Sequence, residues 1–478
     1  MSRRWKALTA FMAPVLLVAG LITGTAQPAQ ASTAQFRGVN WADQRDNFVN
    51  GVLYPSGLTA SDTYSSAAAV ADRVVGQLYS ITGANTVRIP VNEPTVANYW
   101  GTYTGAIDTA LGKGNVIFAY WAHTGGRPPN MTAFNQMWDK VIAKYGGHPN
   151  AYFEVINEPH GYSTTDLNNM YFGWLNRYST VPRGRVILDG AGLAQNVPAV
   201  GNDSRLNGTL LAVHDYSFFA GYESETEWAN HIASYIGNHA SRTIATEWGG
   251  AMGPGTKNGV YFDAIDYSIP SGSYMADYVR GVSAKLRSLG MGSVYWPGLR
   301  DGDWYSMTSK TGTGANIALS LVNPSGLQQL RYAWGVGDGG STAVEIRNIG
   351  TGWYVDGLGR TTAAPAGQGT GGTSTSQRWL VENTGSHVRL KNVVTGLYLD
   401  GLGSTANGTD VGQRAGSGAT SQQWMVVTGK SRGNDVRIRN RATGLYLDGM
   451  GRTSTSANLG QWGDSNSVNQ QWRIVAAG

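Results

Sequence analysis

Residues 153–159 read Phe-Glu-Val-Ile-Asn-Glu-Pro, and residues 244–250 read Ile-Ala-Thr-Glu-Trp-Gly-Gly. Each stretch has the apolar run of a buried strand and carries a glutamate at the predicted strand end, Glu158 in the first and Glu247 in the second. The 89 positions between the two glutamates leave room for further strand and helix units. Because the carboxyl ends of parallel strands meet at one edge, these stretches predict two carboxylates that face each other.

Eight short apolar runs alternate with segments of helical periodicity over residues 36–334. The predicted strands are 36–41, 86–90, 116–120, 152–157, 186–189, 210–215, 243–247 and 293–296. The predicted helices include 65–81, 133–145, 164–178, 225–239 and 274–289, and we find no good helix over 191–206. Strands that alternate with helices pair in parallel through right-handed crossovers, and eight such units are typical of a (β/α)8, or TIM, barrel. A doubly wound open sheet is the alternative architecture.

A second region follows a short glycine-rich connector, residues 335–342, and repeats itself three times. The motif Gly-Trp-Tyr-Val-Asp-Gly at 352–357 recurs as Gly-Leu-Tyr-Leu-Asp-Gly at 396–401 and at 444–449, and each copy closes with Gln-x-Trp. Strand-type alternation with frequent glycine turns predicts a small all-β unit for each copy. Since no unit of this size can bury its apolar face alone, the three copies must share one core.

The first 31 residues are expected to be a signal peptide. Arg3, Arg4 and Lys6 precede an apolar stretch, and Ala29-Gln30-Ala31 supplies the small residues of a cleavage site. The apolar stretch holds about 16 residues, fewer than the roughly 20 that a membrane-spanning helix needs. We therefore expect a secreted, extracellular protein, and the sequence leaves open whether export uses the general or the twin-arginine route.

Composition narrows the classes of partner. The formal net charge of +5 falls to +2 when the three cations of the predicted signal peptide are removed, which argues against a nucleic-acid or membrane partner. The chain has no cysteine, so disulfides and thiolate metal sites are excluded. With 24 Tyr and 16 Trp against 14% charged residues, the composition suits aromatic platforms for neutral sugars, although core packing uses aromatic residues equally well.

A set of residues in the first region resembles the signature of glycoside hydrolase family 5, whose members have a (β/α)8 barrel. The set comprises Asn157-Glu158-Pro159, His214, Tyr216, Glu247 and Trp296. The repeats of the second region resemble the ricin-type β-trefoil, a carbohydrate-binding module. The expected organisation is an α/β catalytic domain with a TIM barrel over 32–334, the connector over 335–342, and an all-β trefoil domain over 343–476.

The resemblance implies that Glu158 is the acid/base and Glu247 the nucleophile. Two carboxylates across a barrel mouth are also the groups that cleavage of a glycosidic bond requires, and in a retaining reaction they lie about 5–5.5 Å apart. Negative charge on one carboxylate raises the proton affinity of the other, so Glu158 is expected to start protonated.

Further residues are expected to surround this pair. Arg88, in a strand that otherwise reads as buried, needs a carboxylate partner and is expected to hold Glu247 ionised. Asn157 is expected to bind the 2-hydroxyl of the sugar. His214 and Tyr216 share one strand face, with Tyr216 donating to Glu247 and His214 contacting substrate. The alternative for Arg88 is an ordinary surface or interstrand ion pair, and the alternative for His214 and Tyr216 is a place as hydrogen-bonded core residues.

Two more candidates complete the expected catalytic site. Trp296 ends the eighth strand, where its indole would stack against a sugar ring. His123 follows the third strand, at the place of a substrate-binding histidine in the family, but residues 119–122 depart from the usual lead-in. We expect no metal and no cofactor, because this chemistry requires none and no ligand cluster is visible in the sequence.

Only the third trefoil repeat has a complete sugar-binding set in the ricin-type pattern. Its members are Asp448, Trp462, Asn469 and Gln470. The first repeat has Gly369 and Ser376 at the positions of the aromatic residue and the asparagine, and the second has Arg414 and Ser421. We expect one strong site and one or two weak ones. For the three aspartates, turn formation is the structural alternative, and for the Gln-x-Trp motifs core packing is the expected main role.

Together these patterns predict a secreted, retaining endo-β-glycanase that acts on a plant-type polysaccharide and binds carbohydrate through its trefoil, as a monomer. The pairing of the two domains is similar to actinobacterial endo-β-1,6-galactanases, so β-1,6-galactan side chains of arabinogalactan are the first expected substrate. Endo-β-1,4-glucanase and β-mannanase activities are the alternatives. A lectin with an inactive barrel and a transglycosylase stay open as other classes.

Overall fold

The computed structural model describes residues 33–45, 49–122, 125–257, 260–270, 273–337, 343–371, 374–384, 387–430 and 435–477. Residues 1–31, predicted as a signal peptide, and His123 lie outside these ranges, as do residues 338–342 of the predicted connector. Among the described helices, none has the length and apolarity needed to cross a bilayer.

Eight parallel strands close into a barrel in the first region, which confirms the predicted TIM-type fold and rules out the open sheet. Around the barrel the strands follow the order β1-β10-β7-β6-β5-β4-β3-β2. The strands are β1 (Arg37–Trp41), β2 (Thr86–Val91), β3 (Asn115–Tyr120), β4 (Ala151–Glu154), β5 (Val186–Asp189), β6 (Leu210–Tyr216), β7 (Thr243–Gly249), the hairpin β8 (Gly255–Lys257) and β9 (Val260–Phe262), and then β10 (Gly292–Leu299).

Helices pack around the barrel and bury their apolar stripes against it. They are α1 (Tyr64–Thr82), α2 (Glu93–Asn98), α3 (Trp100–Leu111), α4 (Met131–Tyr145), α5 (Thr164–Arg177), α6 (Ala191–Ala194), α7 (Val197–Gly201), α8 (Glu225–Ile236), α9 (Tyr274–Leu289) and α10 (Pro324–Ala333). Local sequence sets the ends of α1: Thr63 and Ser66 form a capping box, and Gly83 closes the helix in a left-handed conformation. Beyond β10, a two-stranded sheet pairs β11 (Thr308–Thr311) with β12 (Ala318–Leu321).

Two details of the barrel differ from the sequence prediction. The fourth strand was predicted to run to residue 157, but β4 ends at Glu154, so Asn157 and Glu158 lie in the loop that follows. Over 191–206, where we found no good helix, the chain forms two short helical segments in which Gly192, Leu193 and Ala194 all have positive φ. Such left-handed backbone is costly for residues other than glycine.

The second region is a β-trefoil, and its three sequence repeats form three similar sets of strands. These are β13 (Ala343–Asn348), β14 (Tyr354–Asp356), β15 (Ala364–Pro365), β16 (Gly367–Gly369) and β17 (Trp379–Asn383) in the first repeat, β18 (Val388–Asn392), β19 (Tyr398–Asp400), β20 (Thr409–Asp410), β21 (Gly412–Arg414) and β22 (Trp424–Thr428) in the second, and β23 (Val436–Asn440), β24 (Tyr446–Asp448), β25 (Gly460–Trp462) and β26 (Trp472–Ala476) in the third. The strands β13, β17, β18, β22, β23 and β26 pair in a ring, which makes a six-stranded barrel.

One shared core holds the trefoil together, as the repeats predict. Trp379, Trp424 and Trp472 are fully buried in a single apolar cluster, and each indole N–H donates to a backbone carbonyl of its own repeat at 3.0 Å. Core packing is therefore the role of the Gln-x-Trp tryptophans. Ile269, from the chain between β9 and α9, is buried in the same cluster, so the barrel region contributes to this core.

Three buried glutamines join the repeats in a cycle. Gln368 donates to the carbonyl of Gly449, Gln413 to that of Gly357, and Gln461 to that of Gly401, at 2.8–3.0 Å. Each glutamine therefore binds a glycine of a different repeat. In every case, that glycine directly follows the aspartate of the repeated motif. Because a buried carbonyl without a donor is costly, these bonds fix the three motif turns relative to one another in a domain without disulfides.

Candidate active site

Arg88, at the centre of β2, is the hub of the polar network inside the barrel mouth. Its guanidinium is fully buried and makes a bidentate pair with Glu154 of β4, at 2.6 and 2.7 Å. The same group donates to Glu247 Oε1 at 2.6 Å and to the side-chain oxygens of Asn40 and Asn157. One buried cation thus carries two carboxylates, which satisfies the requirement that buried charges be paired.

Glu247 lies on β7 with both carboxylate oxygens held. Arg88 donates to Oε1, and the Tyr216 hydroxyl donates to Oε2 at 2.8 Å, as predicted for both residues. Burial raises the pKa of Glu247 above its ordinary value, while His214, Arg88 and the Tyr216 hydrogen bond act in the opposite direction. The site therefore balances a costly buried charge against donors that favour the ionised form.

Glu158 is held by its backbone and by its side chain. Its φ is +49°, a left-handed conformation, and its N–H donates to Asp189 Oδ2 at 2.9 Å. Its Oε1 lies 3.0 Å from His214 Nδ1, and His214 Nε2 lies 2.9 Å from the Thr246 hydroxyl. Burial lowers the pKa of His214, which favours a neutral imidazole between these two neighbours.

The two glutamates converge, although 89 positions separate them in the chain. One carboxylate oxygen of Glu158 and one of Glu247 lie within 4.8 Å of each other, and both carboxylates face Nδ1 of His214. His214 Nδ1 is 3.7 Å from Glu247 Oε2. A separation of about 5 Å suits a retaining pair, whereas an inverting pair needs about 6.5–9.5 Å to admit a water molecule.

Strand periodicity places the β6 residues as predicted. His214 and Tyr216 point toward the glutamates, and Asp215 between them points outward to His231, at 3.3 Å. His214 was expected to contact substrate. Its side chain is fully buried and contacts Glu158 and Thr246, a position suited to orienting the carboxylate rather than to touching a sugar.

Asn157 and Trp296 lie beside the glutamates. The side-chain oxygen of Asn157 accepts from Arg88, which leaves its NH2 group as the donor for a sugar hydroxyl. Trp296, on β10, is 7% exposed and packs against Trp121 with ring centroids 5.7 Å apart. Trp121 is 1% exposed, so both rings are buried and Trp296 keeps the larger exposed fraction of the pair. His123 lies outside the described residues, and its expected role stays a prediction.

Close packing around Glu247 explains the glycine pair that follows it. A Cβ atom at Gly249 would lie 2.0 Å from the carbonyl oxygen of Trp296 on the neighbouring β10. No side chain fits at that distance, so the close approach of the two strand ends requires glycine.

Sequence analysis missed Asn40, Glu154, Asp189 and Thr246, which complete the network. Glu154 stands in the opening stretch itself, four positions before Glu158, and an acidic residue in a buried strand was a usable signal. Asp189 closes a predicted strand and could have been found in the same way. The amide of Asn40, which donates to two backbone carbonyls, has no comparable signal in the sequence.

Two groups of described side chains have the spacing of a metal site, but both belong to this network. One is Glu158, His214 and Glu247, and the other is Glu154, Asp189 and His214. Glu154 and Glu247 already accept hydrogen bonds from Arg88, so the positive charge that these carboxylates need is supplied by the protein. The expectation of a metal-free site stays a prediction.

The candidate sugar-binding residues of the third trefoil repeat lie on β24, on β25 and in the closing motif. Trp462 is 41% exposed and pairs in register with Tyr446, as Arg414 does with Tyr398 and Gly369 with Tyr354. At the position that pairs with the motif tyrosine, only the third repeat therefore has a tryptophan side chain. Asp448 is buried, and its Oδ1 accepts from the N–H of Met450 at 2.7 Å, so this aspartate also forms the turn, as the structural alternative proposed.

The closing motif of that repeat completes the set. The backbone carbonyl of Asn469 accepts from Gly449, in the turn that follows Asp448, and Ser376 and Ser421 do the same in the other repeats. Gln470 is buried and donates to the carbonyl of Gly463 at 2.8 Å. The position equivalences drawn from the repeats are thus confirmed, while sugar binding by these residues stays a prediction.

Comparison with family models gives two matches. Residues 54–296 match the model described as Cellulase (glycosyl hydrolase family 5), and residues 329–414 and 420–478 match the ricin-type beta-trefoil lectin domain-like model. No curated protein matches the chain.

Solved structures resemble separate parts of the chain. An endoglucanase from Pseudomonas stutzeri in complex with cellobiose matches 63% of this chain over 92% of its own, at 14% identity and a TM-score of 0.45. A ricin B-like lectin from Macrolepiota procera in complex with lactose matches 29% over 96% of its own, at 22% identity and a TM-score of 0.26. An exo-beta-1,3-galactanase from Clostridium thermocellum matches 28%, at 28% identity and a TM-score of 0.27, and the matched part is 30% of that protein.

Proposed function

Since the chain belongs to glycosyl hydrolase family 5 and carries a ricin-type carbohydrate-binding domain, we propose that it is a retaining endo-β-glycanase. The observation that carries this proposal is the convergence of Glu158 and Glu247 to within 4.8 Å at the C-terminal mouth of the barrel. Both carboxylates are buried, and each has partners suited to a different role in a two-step displacement at the anomeric carbon.

In the first step, Glu158 donates a proton to the leaving oxygen while Glu247 attacks the anomeric carbon. Arg88 and Tyr216 keep the Glu247 carboxylate ionised and aimed, because both donate to it in the absence of substrate. The glycosidic bond breaks, and a glycosyl ester forms on Glu247. In the second step, Glu158 takes a proton from water, which attacks the same carbon and releases the sugar with its original configuration.

The sugar in the reacting position would lie against Trp296 and the NH2 group of Asn157. An indole offers an apolar face to the C–H groups of a sugar, and an amide donor can bind the 2-hydroxyl, a contact that strengthens in the transition state. These contacts recognise a β-linked hexose without selecting the position of its linkage.

For the polymer, we propose β-1,6-galactan side chains of arabinogalactan as the first substrate, on the similarity of the domain pairing to endo-β-1,6-galactanases. The second candidate is a β-1,4-glucan, which is favoured by the family model, since its description is Cellulase. β-Mannan is the third. In each case the trefoil would hold the enzyme on its polymer through Trp462, Asp448 and the closing Asn469-Gln470 pair.

We further propose that the protein acts outside the cell. Support comes from the sequence of residues 1–31, with its basic start, apolar stretch and Ala29-Gln30-Ala31. The polymers named above are too large to enter a cell, which fits an exported enzyme. N-terminal sequencing of protein recovered from the culture medium would test this proposal, with a new terminus after Ala31 as the expected result.

The substrate is tested by incubating the purified protein with β-1,6-galactan, carboxymethyl-cellulose, mannan and xylan, and following reducing ends and product lengths. Release of short galacto-oligosaccharides supports the first candidate, and activity confined to carboxymethyl-cellulose supports the second. A protein that retains its fold and releases reducing ends from none of the four would contradict the hydrolase function.

The roles of the two glutamates are tested by comparing a polymer with an aryl glycoside that has a good leaving group. Glu247→Ala should abolish turnover of both substrates, because no nucleophile remains. Glu158→Ala should slow hydrolysis of the polymer by about 10²–10⁴-fold, the usual contribution of a general acid. It should lower kcat/KM on the aryl glycoside much less, since kcat/KM reports the first step and that leaving group needs no proton.

As a matched control, Glu345→Ala removes a glutamate of the trefoil strand β13 and should leave both rates unchanged. Equal losses on the two substrates for Glu158→Ala would refute its assignment as the acid.

A further inference from the structure

The loop that carries Glu158 has a backbone conformation that its own sequence does not favour. Glu158 has a φ of +49° and is not a glycine, and such a left-handed conformation is unfavourable and persists only where the surroundings impose it. The strand that leads to it ends at Glu154, so strand pairing does not hold Glu158. Its position must therefore be imposed by neighbouring elements.

The end of β5 supplies that support. Asp189, the last residue of β5, accepts the N–H of Glu158 at Oδ2, at 2.9 Å. Four residues further on, the N–H of Leu193 donates to the carbonyl of Pro159 at 3.1 Å. One bond comes from the last residue of β5 and the other from the segment that follows it, so the end of β5 and this segment together act as a template for the Glu158 loop.

Asp189 is itself fixed and cannot touch substrate. Its side chain is fully buried, and the Tyr171 hydroxyl of α5 donates to its backbone carbonyl at 2.9 Å. Three groups face its carboxyl from the other strands: Arg88 of β2, Glu154 of β4 and His214 of β6, whose Nε2 is 3.8 Å from Oδ2. Asp189 therefore contacts Glu158 through its backbone N–H and has no exposed surface for substrate.

The charges of these neighbours favour a neutral Asp189. Arg88 already pairs with Glu154 and Glu247, so a third carboxylate would be a buried charge without a counterion. Burial, with Glu154 nearby, raises the pKa of Asp189 well above its usual range. As an acid, Asp189 can donate its proton to Glu154 through one oxygen and accept the Glu158 N–H through the other. Its Oδ1 otherwise has no hydrogen-bond partner among the described residues.

We propose that Asp189 is a positioning residue that fixes the backbone of Glu158, so that the carboxyl of Glu158 is aimed at the leaving-group oxygen. This inference rests on the proposed role of Glu158 as the acid of a glycosidase. It assigns Asp189 no contact with the sugar and no proton transfer to it. A carboxamide has the same shape as a neutral carboxyl and the same pattern of one acceptor and one donor, so asparagine should replace Asp189 with little loss.

The experiment compares Asp189→Asn with Asp189→Ala on two substrates, the polymer preferred by the wild-type protein and a dinitrophenyl β-glycoside of the same sugar. Asp189→Ala should lower kcat/KM on the polymer by about 10–100-fold, part of the usual contribution of a general acid, and should lower kcat/KM on the dinitrophenyl glycoside much less, because kcat/KM reports the first step and that leaving group needs no proton. Asp189→Asn should keep the wild-type ratio of the two rates.

A control separates positioning from general destabilisation. Asp277, on α9, is another fully buried aspartate, and Asp277→Ala should leave the ratio of the two rates unchanged whatever it does to thermal stability. If Asp189→Ala does not fold, as judged by circular dichroism, Asp189→Ser makes the same comparison, because its hydroxyl is too short to reach the Glu158 N–H.

Equal losses on the two substrates for Asp189→Ala, or an Asp189→Asn variant as impaired as Asp189→Ala, would overturn the proposal. A wild-type protein that hydrolyses neither substrate would instead refute the proposed function, so the two failures are distinguishable.

Discussion

At the scale of single residues, the site depends on the pairing of one buried cation, Arg88, with two buried carboxylates. Arg88 is the only cation bonded to Glu154 and Glu247 among the described side chains. The neutral Tyr216 hydroxyl donates to Glu247, and the Asn40 side-chain oxygen accepts from Arg88. Removing one charged member of such a network leaves a buried charge without its partner, which is strongly destabilising in a low-dielectric interior. The protonation state of Glu247 is therefore set by its neighbours.

The pH profile should report this balance. Burial raises the pKa of Glu247, and activity requires the ionised form, so kcat/KM should fall as the pH falls through this raised pKa. Tyr216→Phe removes a donor that lowers the pKa, so the acid limb should move to higher pH. The shift should be roughly one unit, since a hydrogen bond to a charged group is worth about 1.5 kcal/mol.

Tyr99→Phe is the control for this measurement, because the Tyr99 hydroxyl donates to the backbone carbonyl of Thr59 rather than to a site residue. Its acid limb should match that of the wild type. An acid limb in Tyr216→Phe that stays in place, or moves to lower pH, would show that Glu247 does not govern it.

At the scale of secondary-structure elements, the apolar runs of the sequence located all eight barrel strands. The bounds of β5 were predicted as observed, and the ends of β2, β3 and β6 differ by one residue. The prediction for β4 was too long, because Val155 and Ile156 continue the apolar run and are buried even though they lie beyond the strand. Periodicity reports burial, and it cannot show where pairing stops.

Contacts between residues of different barrel strands were harder to predict, because periodicity does not show how the strands pair. Glu154 and Asp189 lie on neighbouring strands and meet Arg88 and the Glu158 loop from positions 31 to 66 residues away. From the sequence, only one carboxylate partner, Glu247, was predicted for Arg88. The second partner depends on the strand register, which pairs Glu154 of β4 with Ile187 of β5. The sequence of neither strand alone determines that register.

In the trefoil, equivalent elements offer a matched pair of variants. Trp462 and Arg414 occupy the same position of β25 and β21, and both are exposed. Trp462→Ala should weaken retention on polysaccharide roughly tenfold, because it removes the stacking face of the one complete site. Arg414→Ala should change retention little. Affinity electrophoresis in gels containing the polymer measures both, and a larger effect at Arg414 would refute a single strong site.

At the scale of the whole molecule, catalysis and binding occupy separate folds in one chain. A module that binds the polymer raises the effective concentration of the catalytic site at its substrate without changing the chemistry. Trp462→Ala should therefore lower the rate on polymer and leave the rate on a short aryl glycoside unchanged. The burial of Ile269 in the trefoil core indicates that the two regions also pack directly, in addition to being joined by the connector.

The retaining reaction is tested most directly by following the anomeric configuration of the first released sugar by proton NMR, before mutarotation mixes the anomers. With the Glu158 and Glu247 oxygens within 4.8 Å, the β-anomer should appear first and the α-anomer only later. If the α-anomer appeared first, water would be attacking directly, and the assignment of Glu247 as the nucleophile would be contradicted.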